Sequence, residues 1–214
     1  MRTLTLLLVL GAAIVALADE TSKVDPVRIP AIVDLKNAKC PVGGEDVDAD
    51  SYVDWNGVRV HLCCTDCKPL FEKEPAVAIG KLGLKVAKDA DGKTVVDLAN
   101  AKCPMMGKPV KEGVTGDQWG VRTHFCCAGC DKKAKKDPAK AYEALGYGYI
   151  PSVVDLRNKT CPTSGEPVGE TFADSDGIRV HFCCAECVEG FQKDPAATFA
   201  KLGVDPVKLK ESTK

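Results

Sequence analysis

Cysteine and histidine are the residues of this 214-residue chain whose types and spacing could do chemistry, and all of them fall into one pattern that recurs three times. Each copy contains the frame Gly-x-Arg-x-His-x-Cys-Cys-x-x-Cys, which begins at Gly57, Gly120 and Gly177. One more cysteine precedes each frame in the sequence Cys-Pro-x-x-Gly, at Cys40, Cys103 and Cys161. Self-similarity of this kind indicates an array of one small unit rather than a single large core.

Thiolate and imidazole are donors that soft and borderline metal ions prefer. A closed zinc site takes four of them in a tetrahedron, whereas two or three thiolates satisfy copper(I). Every repeat offers five candidate donors, which are Cys40, His61, Cys63, Cys64 and Cys67; Cys103, His124, Cys126, Cys127 and Cys130; and Cys161, His181, Cys183, Cys184 and Cys187. Met105 and Met106, inside the second Cys-Pro turn, are further candidates because thioethers favour copper(I), and two exposed turn residues are the alternative interpretation.

Turn and strand signals predict how these donors are positioned. Proline and glycine around each first cysteine predict a sharp turn, a cysteine knuckle. A β-hairpin follows, and its turns are marked by Asn56-Gly57, by Asp176-Gly177 and, more weakly, by Trp119-Gly120. Side chains alternate along the returning strand, so His61 and Cys63 are expected on one face and Val60 on the other.

Two short helices are predicted after each hairpin. The first helices span 65–72, 128–136 and 185–193, so the last cysteine of each frame lies near a helix start, where the helix dipole favours the thiolate. The second helices begin at Pro75, Pro138 and Pro195, each after a capping acid, and end near Gly83, Gly146 and Gly203. The predicted fold class is α+β, with three tandem small cysteine-rich modules, each a cysteine knuckle, a β-hairpin and two short helices.

The termini and the connections complete the predicted organisation. Residues 1–18 predict a secretory signal peptide, because an apolar run follows Arg2 and ends in Ala16-Leu17-Ala18, and an uncleaved anchor is the alternative. A flexible lead-in is expected over 19–30, then repeats over 31–84, 94–146 and 151–204, short connections without distinctive signals, and a tail over 205–214. No later segment is apolar enough to cross a bilayer. The mature chain is therefore expected to be exported, periplasmic or secreted, and without a membrane span.

Composition narrows the classes of partner. The net charge is −1, and no basic face dominates, so nucleic acid is not an expected partner. The basic cluster over 132–136 is interpreted as a solvated helix face. Units of this size bury little apolar surface and usually need a metal ion, a disulfide or a neighbour to stay folded.

The combined motifs carry a family resemblance. In order, the motifs are Cys-Pro-x-x-Gly, then Gly-Val-Arg-Val-His-Leu-Cys-Cys-x-x-Cys, then Phe with Asp-Pro after it. This succession is similar to the YHS and TRASH group of small metal-binding domains, over nearly all of 31–204. The resemblance implies binding, sensing or trafficking of copper, zinc or nickel, with a metal transporter or metallochaperone as partner. The ligands it implies are Cys40, Cys63 and Cys67; Cys103, Cys126 and Cys130; and Cys161, Cys183 and Cys187. The histidine and the second cysteine of each pair lie outside that pattern, and either could supply a fourth ligand. Repeat two departs from it at Ala134, where the other repeats have Phe71 and Phe191.

Two other functions compete with metal binding. Four cysteines per repeat in an exported chain are also compatible with a disulfide-stapled interaction module without metal. Two observations argue against the disulfide-stapled module. Adjacent cysteines form a disulfide with each other only with strain, and a disulfide framework does not require a histidine at a fixed position before the cysteine pair. The Cys-x-x-Cys segments suggest a thiol–disulfide oxidoreductase, but each repeat is too short for the parallel βαβ units of a thioredoxin-like fold. No catalysis is therefore predicted. For the second cysteine of each pair, a small buried hydrophobic residue is the alternative to a ligand. For each histidine, the alternative is a strand residue that is satisfied by hydrogen bonds.

Overall fold

The computed structural model describes residues 24–212, so the predicted signal peptide and the start of the lead-in lie outside the described residues. Within this range the chain is mixed α+β, with twelve strands in three four-stranded sheets and seven helices. None of these helices is long and apolar enough to span a membrane. The elements recur in three sets, which is consistent with the three sequence repeats.

The elements follow the repeats in chain order. The lead-in ends in β1 (Val27–Ile29). Repeat one contains β2 (Ile32–Asp34), β3 (Tyr52–Trp55), β4 (Val58–His61), α1 (Cys67–Lys73) and α2 (Pro75–Lys81), and β5 (Lys85–Lys88) follows it. Repeat two contains β6 (Thr94–Asp97), β7 (Thr115–Gln118), β8 (Val121–His124), α3 (Ala128–Lys136) and α4 (Pro138–Glu143), and β9 (Gly148–Ile150) follows it. Repeat three contains β10 (Val153–Asp155), β11 (Thr171–Ser175), β12 (Ile178–Phe182), α5 (Ala185–Lys193) and α6 (Pro195–Lys201), and the tail forms α7 (Pro206–Ser212).

Each repeat builds the same three-stranded unit. The hairpin strands β3–β4, β7–β8 and β11–β12 pair antiparallel, and the first strand of the repeat lies parallel to the returning hairpin strand. Both residues of every predicted turn dipeptide have positive φ, as a two-residue hairpin turn requires. This includes Trp119 at φ 50°, so the weaker Trp-Gly signal forms the same turn as Asn-Gly. Val58 and Val60 are buried and His61 is half-buried, which confirms the predicted alternation.

The fourth strand of each sheet comes from a segment outside the predicted repeats, which the sequence interpretation missed. β5 pairs with β6, β9 pairs with β2, and β1 pairs with β10, all antiparallel. The flexible lead-in predicted over 19–30 is therefore wrong for Val27–Ile29, and both connections contain strands. The physical reason is that the first strand of each repeat has a free edge, and extended backbone within reach satisfies its N–H and C=O groups.

Repeats one and two exchange these strands and share a core. The strand after the helices of repeat one, β5, joins the sheet of repeat two, and the strand after the helices of repeat two, β9, joins the sheet of repeat one. One buried cluster accordingly joins Val33 and Phe71 of repeat one to Val121 and Tyr142 of repeat two. Repeat three has a separate cluster, which Val24 and Leu209 cover from the two ends of the described chain.

The helices follow the predicted pattern with two local differences. α3 and α5 have the predicted bounds, but α1 begins at Cys67 rather than at residue 65, because Pro69 has no N–H to bond to the carbonyl of Thr65. Asp137 and Asp194 cap α4 and α6 by accepting from the N–H groups of Lys140 and Ala197. Glu74 makes no such bond at α2. The second helices end before glycines with positive φ at 83, 146 and 203, as predicted.

The core of repeat two differs from the other cores around its smaller residue at position 134. Ala134 is buried, and the helix that follows supplies Tyr142, also buried. The Tyr142 hydroxyl bonds to Thr123, which stands where repeats one and three have Val60 and Val180. Repeat two therefore has a tyrosine–threonine hydrogen bond where repeat three has Phe199 and Val180.

Candidate metal centres

Three cysteines from three different elements converge in each repeat. In repeat one, Cys40 comes from the knuckle, Cys63 follows β4, and Cys67 is the first residue of α1. Their Sγ atoms all lie within 4.8 Å of one another, and the same holds for Cys103, Cys126 and Cys130, and for Cys161, Cys183 and Cys187. The first and last cysteines are buried and the middle one is half-buried. These nine residues are the ones that the family resemblance implies as ligands.

The knuckle forms because its backbone bonds close a tight turn. The N–H of Cys40 donates to the carbonyl of Glu45 at 2.8 Å, and the N–H of Gly44 donates to the carbonyl of Cys40 at 2.9 Å. Gly44 has φ 80°, a conformation that favours glycine. The turn leaves the N–H of Gly43 directed at Cys40 Sγ, at 3.3 Å. An N–H donor so placed stabilises a thiolate, as at a metal knuckle.

The sulfur separations are those of unbonded thiols and are close to the separation expected around one ion. Cys63 and Cys67 Sγ atoms are 3.5 Å apart, and the equivalent pairs in repeats two and three are 3.7 Å apart. Thiolates bound at about 2.3 Å to one tetrahedral zinc lie about 3.8 Å apart, whereas disulfide sulfurs lie about 2.05 Å apart. All twelve cysteines lie in the described part of the chain and are free thiols. The donor set therefore suits a thiophilic ion.

The second cysteine of each pair stands beside the group of three. Cys64 Sγ lies 3.5 Å from Cys67 and 3.9 Å from Cys63, yet Cys64 falls outside the set whose members are all within 4.8 Å. Cys64 and Cys127 are exposed and Cys184 is half-buried. The interpretation of this cysteine as a buried hydrophobic residue is therefore wrong for Cys64 and Cys127.

The histidines are held by an aspartate rather than gathered with the thiols. Nε2 of His61 lies 2.9 Å from Asp34 Oδ1, and His124 and His181 pair with Asp97 and Asp155 at 2.7 and 2.8 Å. None of the three histidines belongs to a group of convergent ligand atoms in the described residues. Each histidine is here a strand residue satisfied by hydrogen bonds, and its role as a fourth ligand stays a prediction.

A four-residue motif that sequence reasoning did not use positions the histidine strand. It is Asp-Leu-x-Asn, at 34–37, 97–100 and 155–158. Asp34 accepts from the N–H of Lys36 as well as contacting His61, and Asn37 both accepts from the N–H and donates to the carbonyl of His61. Repeats two and three repeat these bonds. The signal was present in the sequence, since Asp and Asn recur at these positions in all three copies.

The residue three positions after the first cysteine differs among the three sites. In repeat one it is Gly43, where an added Cβ would lie 2.8 Å from Cys63 Sγ. In repeat three it is Ser164, whose hydroxyl lies 3.2 Å from Cys183 Sγ. In repeat two it is Met106, which is exposed, while Met105 packs against the cluster that contains Cys103. Met106 therefore lies at the surface, and Met105 is half-buried against the core.

Hydrogen bonding and burial divide the thiols of each site into two classes. Burial opposes ionisation of Cys40 and Cys161, but hydrogen bonds to the thiolates outweigh it. Backbone N–H groups of Gly43, Cys63 and Val42 lower the pKa of Cys40 to about 7. The hydroxyl and the backbone N–H of Ser164 contribute most to lowering the pKa of Cys161 to about 6. At the helix start the direction reverses. Burial and neighbouring thiols raise the pKa of Cys67, and they raise the pKa of Cys130 to about 12. The knuckle thiol therefore ionises first, and the predicted effect of the helix dipole is outweighed.

Comparisons of the chain with family models, with curated proteins and with solved structures find no match. The description of the site therefore stands on its geometry: three groups of three thiols that are placed to hold a metal ion.

Proposed function

We propose that this protein binds thiophilic metal ions, zinc or copper(I), through one three-thiolate site in each repeat. The observation that supports this most is the threefold recurrence of the same cysteine triad, built each time from a knuckle, a strand end and a helix start. Side chains around the triads differ between repeats, at Gly43, Met106 and Ser164 for example, but the sulfur positions recur. A sulfur arrangement that is kept while the neighbouring side chains vary supports one shared role for these cysteines.

The cellular role that fits such sites is buffering, trafficking or resistance. The similarity to YHS and TRASH domains and the apparent signal sequence at 1–18 support an exported, periplasmic or secreted metal-binding protein built of three small modules. A metal transporter or metallochaperone would donate or receive the ion. The metal ion is then cargo rather than a catalytic cofactor, and the protein is not an enzyme.

Anaerobic purification followed by elemental analysis and thiol titration tests this proposal. We expect up to three zinc or copper ions per chain, and twelve titratable thiols once the metal has been removed with a chelator under denaturing conditions. In the test variant Cys67, Cys130 and Cys187 are all replaced by serine, and it should lose most of the metal. Protein with no bound metal and no free thiols would instead support the disulfide-stapled interaction module.

A further inference from the structure

A second triangle of sulfur atoms lies on the outer side of the triads of repeats one and three, and two sides of the same triangle recur in repeat two. In repeat one its sides are 3.5 Å between Cys63 and Cys67, 3.5 Å between Cys64 and Cys67, and 3.9 Å between Cys63 and Cys64. In repeat three the equivalent sides are 3.7, 3.5 and 3.7 Å. Repeat two has 3.7 Å between Cys126 and Cys130 and 3.5 Å between Cys127 and Cys130. These lengths are close to the separation of about 3.8 Å expected for thiolates on one ion.

The inner and outer triangles share an edge but differ in exposure. Cys63 and Cys67 belong to both triangles. Cys40 completes the inner one and is 2% exposed, whereas Cys64 completes the outer one and is an exposed residue. Thr65 and Asp66, which follow Cys64, are also exposed, so solvent and other molecules reach the outer triangle directly.

We propose that the outer triangle is a second three-thiolate position for the metal ion, through which the ion passes between the buried triad and an acceptor thiol of a partner protein. This inference rests on the proposed metal-binding function and assigns a role to Cys64, Cys127 and Cys184. The partner is defined by its chemistry: a protein or small molecule that presents an accessible thiolate.

The transfer is a ligand exchange without oxidation. The Cys64 thiol loses its proton and its sulfur binds the ion, while the bond between the ion and Cys40 breaks and Cys40 takes up a proton. Acceptor thiols then displace Cys67, Cys63 and Cys64 one at a time. At each exchange one acceptor thiol loses its proton and binds the ion, the bond between the ion and one cysteine breaks, and that cysteine takes up a proton. Charge and electrons balance at each step, and the metal keeps its oxidation state.

The geometry disfavours a fourth-ligand role for this cysteine. A tetrahedral fourth ligand must be equally close to all three partners, and Cys64 is close to two of them only. Cys64 and Cys67 are both free thiols here, so both sulfurs are available to an ion. The shared-edge arrangement is also found in repeat three, where Cys184 is half-buried rather than exposed.

Cadmium transfer from the full chain tests the inference, because cadmium(II) is a soft probe whose thiolate complexes absorb in the ultraviolet. The test variant carries Cys64→Ser, Cys127→Ser and Cys184→Ser together. The matched control carries Thr65→Ser, Ala128→Ser and Ala185→Ser, which places serine at the next exposed position of each repeat. Each protein is loaded anaerobically, and the loss of the thiolate–cadmium absorbance is followed after addition of excess dimercaptosuccinate.

We expect all three proteins to bind the same number of cadmium ions with similar affinity, and transfer to the dithiol to slow about tenfold in the test variant only. An unchanged transfer rate in the test variant would overturn the inference. Loss of cadmium affinity in that variant would also overturn it, because Cys64 would then be an ordinary fourth ligand. Failure of the unmodified protein to bind cadmium at all would instead contradict the proposed function.

Discussion

Residues 43, 106 and 164 occupy the same place in the three knuckles and are Gly, Met and Ser. Gly43 leaves the space beside Cys63 open, whereas the Ser164 hydroxyl contacts Cys183 and helps to lower the pKa of Cys161. Three sites with the same sulfur arrangement therefore differ in the electrostatics of the knuckle thiol. The difference follows from one side chain, since the backbone of the knuckle is the same in each repeat.

Replacement of Ser164 with alanine is predicted to raise the pKa of Cys161. The hydroxyl donates to the thiolate form, so its loss removes a bond that only the charged state uses, and burial, which opposes ionisation, then counts for more. In the metal-free, reduced protein, the thiolate absorbance that appears as pH rises through about 6 should shift to higher pH by about one unit. Thr163→Ala is the control and should leave this transition in place. The role assigned to Ser164 is wrong if both variants titrate alike.

At the scale of elements, the hairpin turns do more than reverse the chain. The turn of repeat one packs against the turn of repeat two: a Cβ at Gly57 would overlap the carbonyl oxygen of Trp119, and one at Gly120 would lie 2.7 Å from the carbonyl oxygen of Asn56. The turn of repeat three has more room, since a Cβ at Gly177 would meet only the Ser152 carbonyl oxygen, at 3.9 Å. Equivalent glycines therefore carry different constraints.

Gly57→Ala is predicted to destabilise the protein more than Gly177→Ala. Both glycines have positive φ, at 79° and 70°, so alanine at either position introduces backbone strain that destabilises the folded state by about 1 kcal/mol. Only Gly57→Ala also forces the two turns apart, which should add about 1–3 kcal/mol to the loss in free energy of unfolding. Urea denaturation of the two variants gives the comparison. Equal losses would show that the packing of the turns contributes nothing.

At the scale of the whole molecule, the three repeats are not equivalent, independent units. Repeats one and two exchange β5 and β9 and share buried residues, while repeat three takes β1 from the other end of the chain and has its own core. Each sheet is completed by a segment outside the repeat it serves. The stability of one candidate metal site is therefore coupled to residues that belong to another part of the sequence.

Removal of metal is predicted to lower the melting temperature of the whole chain. An ion that binds only the folded state stabilises it by about 2.7 kcal/mol when its free concentration is 100 times its dissociation constant. Because small units depend on such terms, thermal unfolding in the presence of EDTA or a copper(I) chelator should begin at lower temperature than in the metal-loaded protein. Refilling with metal is the control and should restore the transition. If neither metal removal nor metal addition changes the melting temperature, any bound metal does not contribute to stability.

Much of the candidate site was predictable from the sequence, because its signals are local. Cys-Pro-x-x-Gly forms the knuckle, Asn-Gly and its equivalents form the hairpin turns, and period-two alternation buries Val60 opposite His61. The bounds of α3 and α5 also followed from capping and composition. In each case a few neighbouring residues determine the backbone conformation.

The remaining features were decided only by tertiary structure, because they depend on which groups meet across long stretches of chain. The sequence of Val27–Ile29 does not indicate that this strand pairs with β10, 126 residues away. The sequence of β9 likewise does not indicate that it pairs with a strand of repeat one. A free strand edge pairs with whichever extended segment the packing brings within reach. The partners of the histidines were decided in the same way. Asp34 and His61 lie 27 positions apart, and it is the parallel pairing of β2 with β4 that places the carboxylate beside the ring and leaves the thiols to meet one another.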